Sequence, residues 1–161
     1  MYCGTDAIKI VNFLFEKKIK GEDMSAKNIL FLCVANSARS QMAEGIARSL
    51  FGDKAIIESA GSLPKGVHPL AIEAMKEIGI DISKQYSKST DKLPLRFIVK
   101  IDFMISLCEE DTCPDMASRT AQKLKWVIED PAIKNDIQSF REARDKIQAS
   151  IKEFGAKENL L

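Results

Sequence analysis

The stretch Asn28-Ile-Leu-Phe-Leu-Cys33-Val-Ala-Asn-Ser-Ala-Arg39-Ser-Gln-Met-Ala-Glu-Gly45 decides how this 161-residue chain is read. An apolar run, Ile29 to Leu32, ends at Cys33. Small residues (Ala35, Ser37, Ala38) follow, and Arg39 opens a pattern with Met42, Ile46, Ala47 and Leu50 at helical spacing. Cys33 and Arg39 therefore stand in the arrangement C-x5-R, between a strand and a helix. A short loop of this kind turns backbone N–H groups inward, and the helix start adds the positive end of its dipole. A tetrahedral oxyanion fits such a nest, and a planar guanidinium can bond two of its oxygens at once. The same field favours the thiolate of Cys33, which is the nucleophilic form. Val34, Ala35, Asn36, Ser37, Ala38, Arg39 and Ser40 are the expected oxyanion cradle, with Ser40 placed to hydrogen-bond the sulfur. The plain alternative makes Cys33 a small buried hydrophobe and Arg39 a surface charge; the strand-loop-helix context argues against it.

Outward from this stretch, composition sets limits. One domain with one core suits the length. Charged residues are 29% and hydrophobic ones 45%, which excludes a disordered or membrane-embedded composition. A net charge of +1 gives no global field to attract nucleic acid or acidic lipid, so an oxyanion preference must come from a local site. No apolar run approaches the roughly 20 residues that span a bilayer, and no signal-peptide pattern is present. Four cysteines are too few for a secreted disulfide scaffold and suit a reducing, cytoplasmic setting. The expectation is a monomer without nucleic-acid or membrane partners.

The segment 1–25 is read as an N-terminal extension, and 26–161 as a single domain. Either Met24 is the functional start, or the apolar Ile8, Val11, Phe13, Leu14 and Phe15 mark an added helix that packs on the domain or on a second subunit. Cys3 reads as a spectator thiol. Further along, Ile29–Cys33 is a continuous buried strand and a helix spans about 39–51, capped by Gly52. A second strand is expected at Ala55–Glu58, left by a turn at Ser59-Ala60-Gly61. A helix runs from Pro69 to about Ile78 and stops at Gly79. Residues 87–99 read as helix with Pro94 near its first turn. Strands follow at Asp102–Leu107 and Leu124–Ile128, with Trp126 expected to pack on the last helix. That helix is expected over Ile137–Phe154, with Gly155 just beyond. Alternation of strands and helices implies an α/β fold with a parallel sheet. Cys33, Cys108 and Asp130 then all follow carboxyl ends of strands, the edge where open α/β sheets bind ligands.

Asp130 precedes Pro131 in a loop, where it is either a turn former or an acid that protonates a departing oxygen. Cys108 and Cys113 form C-x4-C, which leaves open a redox pair, half a zinc site without a second half, or two spectator thiols. His68, the sole histidine, excludes a multi-histidine metal site and in its Gly/Pro loop reads as surface-exposed. No metal site is expected.

The segment Cys33–Gly45 resembles the phosphate loop of the low-molecular-weight protein tyrosine phosphatase superfamily, and within it that of the thioredoxin-coupled arsenate reductases. The similarity continues through Glu58-Ser-Ala-Gly61, Ala71–Glu77, Asp81-Ile-Ser83, Cys108, Cys113-Pro114, Trp126, Asp130-Pro-Ala132 and Phe140–Asp145, covering about residues 27–155. The resemblance implies a three-layer sandwich around a four-stranded parallel sheet in the order 2-1-3-4. It implies that arsenate is reduced to arsenite, with Cys33 as nucleophile, Arg39 as clamp and Asp130 as acid. Cys108 and Cys113 would be a disulfide relay regenerated by thioredoxin, with no bound cofactor. Weak phosphatase activity would accompany this. Two rivals stand beside it: a phosphotyrosine phosphatase, which needs an aromatic wall to which Tyr86 is a candidate contributor, and a non-catalytic oxyanion sensor. Some relatives bind potassium through residues matching Asn36, Glu44, Ser59 and an aspartate. Lys88 stands at the aspartate's position, so its ammonium is expected in place of the ion. The loop between Cys108 and Cys113 is shorter than in better-known relatives, and Ala38 stands where some carry another cysteine.

Overall fold

The computed structural model describes residues 26–108 and 121–161. In chain order the elements are β1 (Lys27–Cys33), α1 (Arg39–Phe51), β2 (Ala55–Gly61), α2 (Pro69–Lys76), the short α3 (Leu95–Ile98), β3 (Ile101–Ser106), β4 (Gln122–Lys125) and α4 (Ile137–Lys157). The four strands form one parallel sheet in the order β2-β1-β3-β4. The expected α/β fold and strand order are both found.

Strand β1 is apolar without alternation because it is covered on both faces. Ile29 and Phe31 point into a core built with Met42 and Ile46 of α1, Met75 of α2 and Phe140, Ile147 and Ile151 of α4. Leu30 and Leu32 point the other way, into a smaller cluster with Leu93, Phe97 and Met104. Burying each such side chain contributes roughly 1.5–3 kcal/mol before chain entropy is set against it. Helix α1 has the predicted bounds, and Gly52 closes it at φ +50° with its N–H donated to Arg48 O.

Several boundaries differ from the sequence reading. Strand β2 continues through Ser59-Ala60-Gly61, because these residues pair in register with Phe31, Leu32 and Cys33. Gly61 is there for space: a Cβ would meet Val34 O at 2.4 Å. Residues 87–99 hold a single-turn segment, Thr90–Lys92, and α3, with Pro94 as N-cap, rather than one helix. Strand β4 is Gln122–Lys125, not 124–128. Its pairing stops at Ser106↔Lys125, where β3 ends, and Trp126 then donates its backbone N–H to Ser106 O. The Trp126 ring does pack on α4, 5.9 Å from Phe154. Helix α4 runs three residues past Phe154, to Lys157, with Gly155 inside it. There the missing side chain admits Phe51, whose Cε1 would lie 2.5 Å from a Cβ.

Candidate functional site

The site lies at the carboxyl end of β1. Ala38 is the last residue before α1, so the loop between strand and helix consists of residues 34–38. Asn36, at φ +43°, bends it through the left-handed region that asparagine tolerates better than most side chains. This residue is fully buried and every polar atom it has is engaged. Its backbone N–H donates to Cys33 Sγ at 3.2 Å, and its Nδ2 donates to Ser40 Oγ and to Ser59 Oγ, both at 2.9 Å. Oδ1 accepts from Lys88 N at 2.8 Å and Gln41 Nε2 at 3.1 Å. Its carbonyl accepts from Gln41 Nε2 and from the Ser87 hydroxyl. One residue thus ties β1, β2, α1 and the segment 87–88 around the sulfur.

The bond directions follow from the donor inventory. Asn36 has used both amide hydrogens on Ser40 and Ser59. Ser59 gives its hydroxyl hydrogen to Glu44 Oε2. Ser40 Oγ lies 2.8 Å from Cys33 Sγ, and its hydroxyl hydrogen is not used by Asn36, so it can donate to the sulfur when the thiol is ionised. The Asn36 N–H and the Ser40 hydroxyl thus both face the Cys33 sulfur.

Glu44 anchors the far end of this chain of bonds. Burial pushes its carboxyl above the ordinary carboxylate range, partly offset by the Ser59 hydroxyl and by Arg48, 2.8 Å from Oε1. Lys88, 6% exposed, pairs with Glu58 at 3.0 Å and its Nζ lies 4.7 Å from the Tyr86 ring centroid. An ammonium paired beside this network supplies positive charge of its own and cannot ligate a cation, so the residues do not fit a potassium site.

Arg39 is held by backbone. Its Nη1 donates to Ile128 O at 2.9 Å and Leu107 O at 3.4 Å, and its Nη2 pairs with Asp130 Oδ2 at 3.1 Å. Asp130 also closes an Asx turn, Oδ1 accepting from Ala132 N at 3.1 Å. Cys33, Arg39 and Asp130 line one cavity of 300 Å³, with Ala35, Lys65 and His68 among its other walls. Among the described residues no Phe, Tyr or Trp lines it, and Tyr86 faces a different cavity, beside Glu44 and Lys84.

His68 is half-buried rather than a surface residue. Its Nδ1 caps α2 by accepting from Leu70 N at 3.2 Å, and its ring lies on Phe140 with centroids 4.6 Å apart. Cys108 is a buried thiol two residues beyond β3. Because β1 and β3 are neighbours, with Leu107 N–H donated to Leu32 O at 2.9 Å, Cys33 and Cys108 leave the sheet side by side. Cys113 lies outside the described residues, as do Cys3 and the extension 1–25. Sequence reading had missed Gln41 and Ser87; a polar residue in the first turn of α1, directly after the loop, was the available signal for Gln41.

The family model for low molecular weight phosphotyrosine protein phosphatase matches residues 28–159. The chain belongs to this family. Within the low-molecular-weight phosphatase family its relatives include arsenate reductase 1 of Staphylococcus epidermidis, 41% identical over 133 residues that make up 81% of this chain and 97% of the relative. An arsenate reductase of Halalkalibacterium halodurans is 41% identical over 138 residues, 81% of this chain and 96% of that one. Among solved structures, an arsenate reductase in the phosphate binding state superposes with a TM-score of 0.72 at 34% identity, covering 81% of this chain and 98% of its own. A thioredoxin-dependent arsenate reductase of Corynebacterium glutamicum gives 0.67 at 29% identity, over 92% of this chain and 73% of its own.

Proposed function

We propose that this protein is a thioredoxin-coupled arsenate reductase, with residues 26–161 as its catalytic domain and 1–25 as an extension. The observation that carries this reading is the adjacency of β1 and β3, which brings a second buried thiol, Cys108, beside the nucleophile loop. Hydrolysis through a phosphocysteine needs one thiol; a two-electron reduction needs more within reach.

In this reading the thiolate of Cys33 attacks the arsenic of bound arsenate, and an oxygen leaves with a proton from Asp130. Arg39 turns from Asp130 to two oxygens of the anion, its stem already fixed by the carbonyls of Leu107 and Ile128. Cys108 then attacks Cys33 Sγ. The S–S bond forms, the S–As bond breaks, and its electron pair remains on arsenic, which leaves as arsenite. Cys113 next attacks the Cys108 sulfur, freeing Cys33 as thiolate, and the dithiol of thioredoxin reduces the Cys108–Cys113 disulfide. The setting is a reducing one, the cytoplasm, and no described helix is long and apolar enough to cross a membrane.

The test is arsenate-dependent NADPH consumption with thioredoxin and thioredoxin reductase, on wild type and on Cys108→Ser and Cys113→Ser separately. Loss of turnover in both variants supports the relay. A wild type that consumes no NADPH yet hydrolyses p-nitrophenyl phosphate through Cys33 overturns it in favour of the phosphatase.

A further inference from the structure

His68 has a place in the site that neither the nucleophile, the clamp nor the relay accounts for. Three of its groups are committed. The backbone N–H donates to Ser37 O in the nucleophile loop at 2.9 Å, one ring face lies against Phe140, and Nδ1 accepts from Leu70 N. An imidazole that accepts at Nδ1 is neutral and carries its hydrogen on Nε2. That N–H has no hydrogen-bond partner among the described residues, and the residue lines the cavity of Cys33, Arg39 and Asp130. The cavity therefore has a neutral donor in its wall in addition to the cations Arg39 and Lys65. Among the described residues no flat apolar wall that would receive an aryl ring lines it.

We propose that His68 is a specificity-determining residue: its Nε2–H donates to the outward oxygen of a free tetrahedral oxyanion seated on the loop. A fully inorganic anion has an oxygen at that position, whereas an aryl ester puts its ring there, where a polar N–H would lose its water without gaining an acceptor. The cap on α2 and the stack on Phe140 fix the ring in advance, so the discrimination needs no rearrangement. This rests on the reductase reading of the site, but binding of the anion alone tests it.

Because the chain has one histidine, the imidazole is visible alone in a long-range ¹H–¹⁵N correlation spectrum of the full-length protein. The expected spectrum is that of the Nε2–H tautomer, with the Nε2 resonance moving on titration with inorganic phosphate and not with phenyl phosphonate. Two variants separate donor from cap. His68→Asn keeps an acceptor at the capping position and loses the distal donor; His68→Gln keeps a distal amide N–H and loses the cap. With phosphate as inhibitor of p-nitrophenyl phosphate hydrolysis, His68→Asn should raise the inhibition constant about 5–10-fold, a clearly larger change than in kcat/KM for the ester. His68→Gln should restore most of the phosphate affinity at a lower Tm. The opposite tautomer, an Nε2 resonance indifferent to phosphate, or anion affinity and ester turnover falling together in His68→Asn, would each overturn the proposal and leave His68 a helix cap. None of these outcomes depends on arsenate turnover, so failure of the reductase reading would be seen separately.

Discussion

Two neighbouring strands each lead to a buried cysteine, β1 ending at Cys33 and β3 followed two residues on by Cys108, and the two ends are built differently. After β1 the chain enters a loop in which Asn36 satisfies itself against Cys33, Ser40, Gln41, Ser59, Ser87 and Lys88. After β3 the chain passes Leu107, fully buried, whose carbonyl accepts from Arg39, and reaches the buried Cys108. The first end is organised to hold charge: two hydrogen bonds reach the sulfur, and a guanidinium lies across the cavity. The second supplies a buried thiol. A nucleophile needs its thiolate before substrate arrives, while a resolving thiol is needed only after the adduct has formed.

Substitution at the two cysteines gives the largest expected contrast. Cys33→Ser should reduce both arsenate turnover and p-nitrophenyl phosphate hydrolysis at least ~1,000-fold. Cys108→Ser should abolish arsenate turnover and leave the hydrolysis in place. If Cys108→Ser removed both activities, the two strand ends would be one site and the division of labour would fail.

Asp130→Asn follows, with hydrolysis expected to fall about 100-fold for an aryl ester with a poor leaving group and much less for p-nitrophenyl phosphate. That dependence on the leaving group checks the acid role, because loss of the Arg39 pair alone would affect both esters alike.

Asn36→Ala should lower kcat/KM by roughly 10–100-fold and stability by about 2–4 kcal/mol, since it orphans several buried partners and puts alanine at positive φ. Urea denaturation gives the second figure. The rate of iodoacetamide alkylation at Cys33 should fall with it, and that at Cys108 should not.

The smallest effect concerns Glu44. Its folded-state pKa lies above the ordinary 4.5, so between the two values the native state holds more protons than the unfolded one. Stability contributed at this position therefore falls as pH rises through that window. Glu44→Gln, which does not titrate, should remove that fall, read as a flatter midpoint in urea between about pH 4 and about pH 8. Lys88→Met should make the wild-type fall steeper and move it upward in pH, because the ammonium helps to keep Glu44 charged.

Local pattern determined a good deal here. Ile29–Leu32 reads as a strand buried on both faces because no alternation interrupts it, and α1 reads correctly at both ends because Arg39 opens the helical spacing and Gly52 supplies the left-handed residue that closes it. C-x5-R gives the proposed nucleophile and clamp from spacing, and the resemblance to a family supplied the strand order, which the sheet has, and the proposed relay. Other features had no local signal. Gly155 looks like a helix stop, but it is a contact surface for Phe51, more than a hundred residues earlier. Leu124–Ile128 looks like a strand, yet its pairing ends where β3 ends. His68 looks like loop surface, and Phe140 and Leu70 make it a fixed wall. Phase and propensity are properties of neighbours along the chain, so sequence determines which segments are helix or strand and where a loop can bend. Burial and hydrogen-bond partnership are properties of neighbours in space. Only the parallel sheet, by setting β2 and β3 on either side of β1, decided that Asn36, Ser59 and Lys88 would share one network and that the chain would leave β1 at Cys33 next to where it leaves β3 before Cys108.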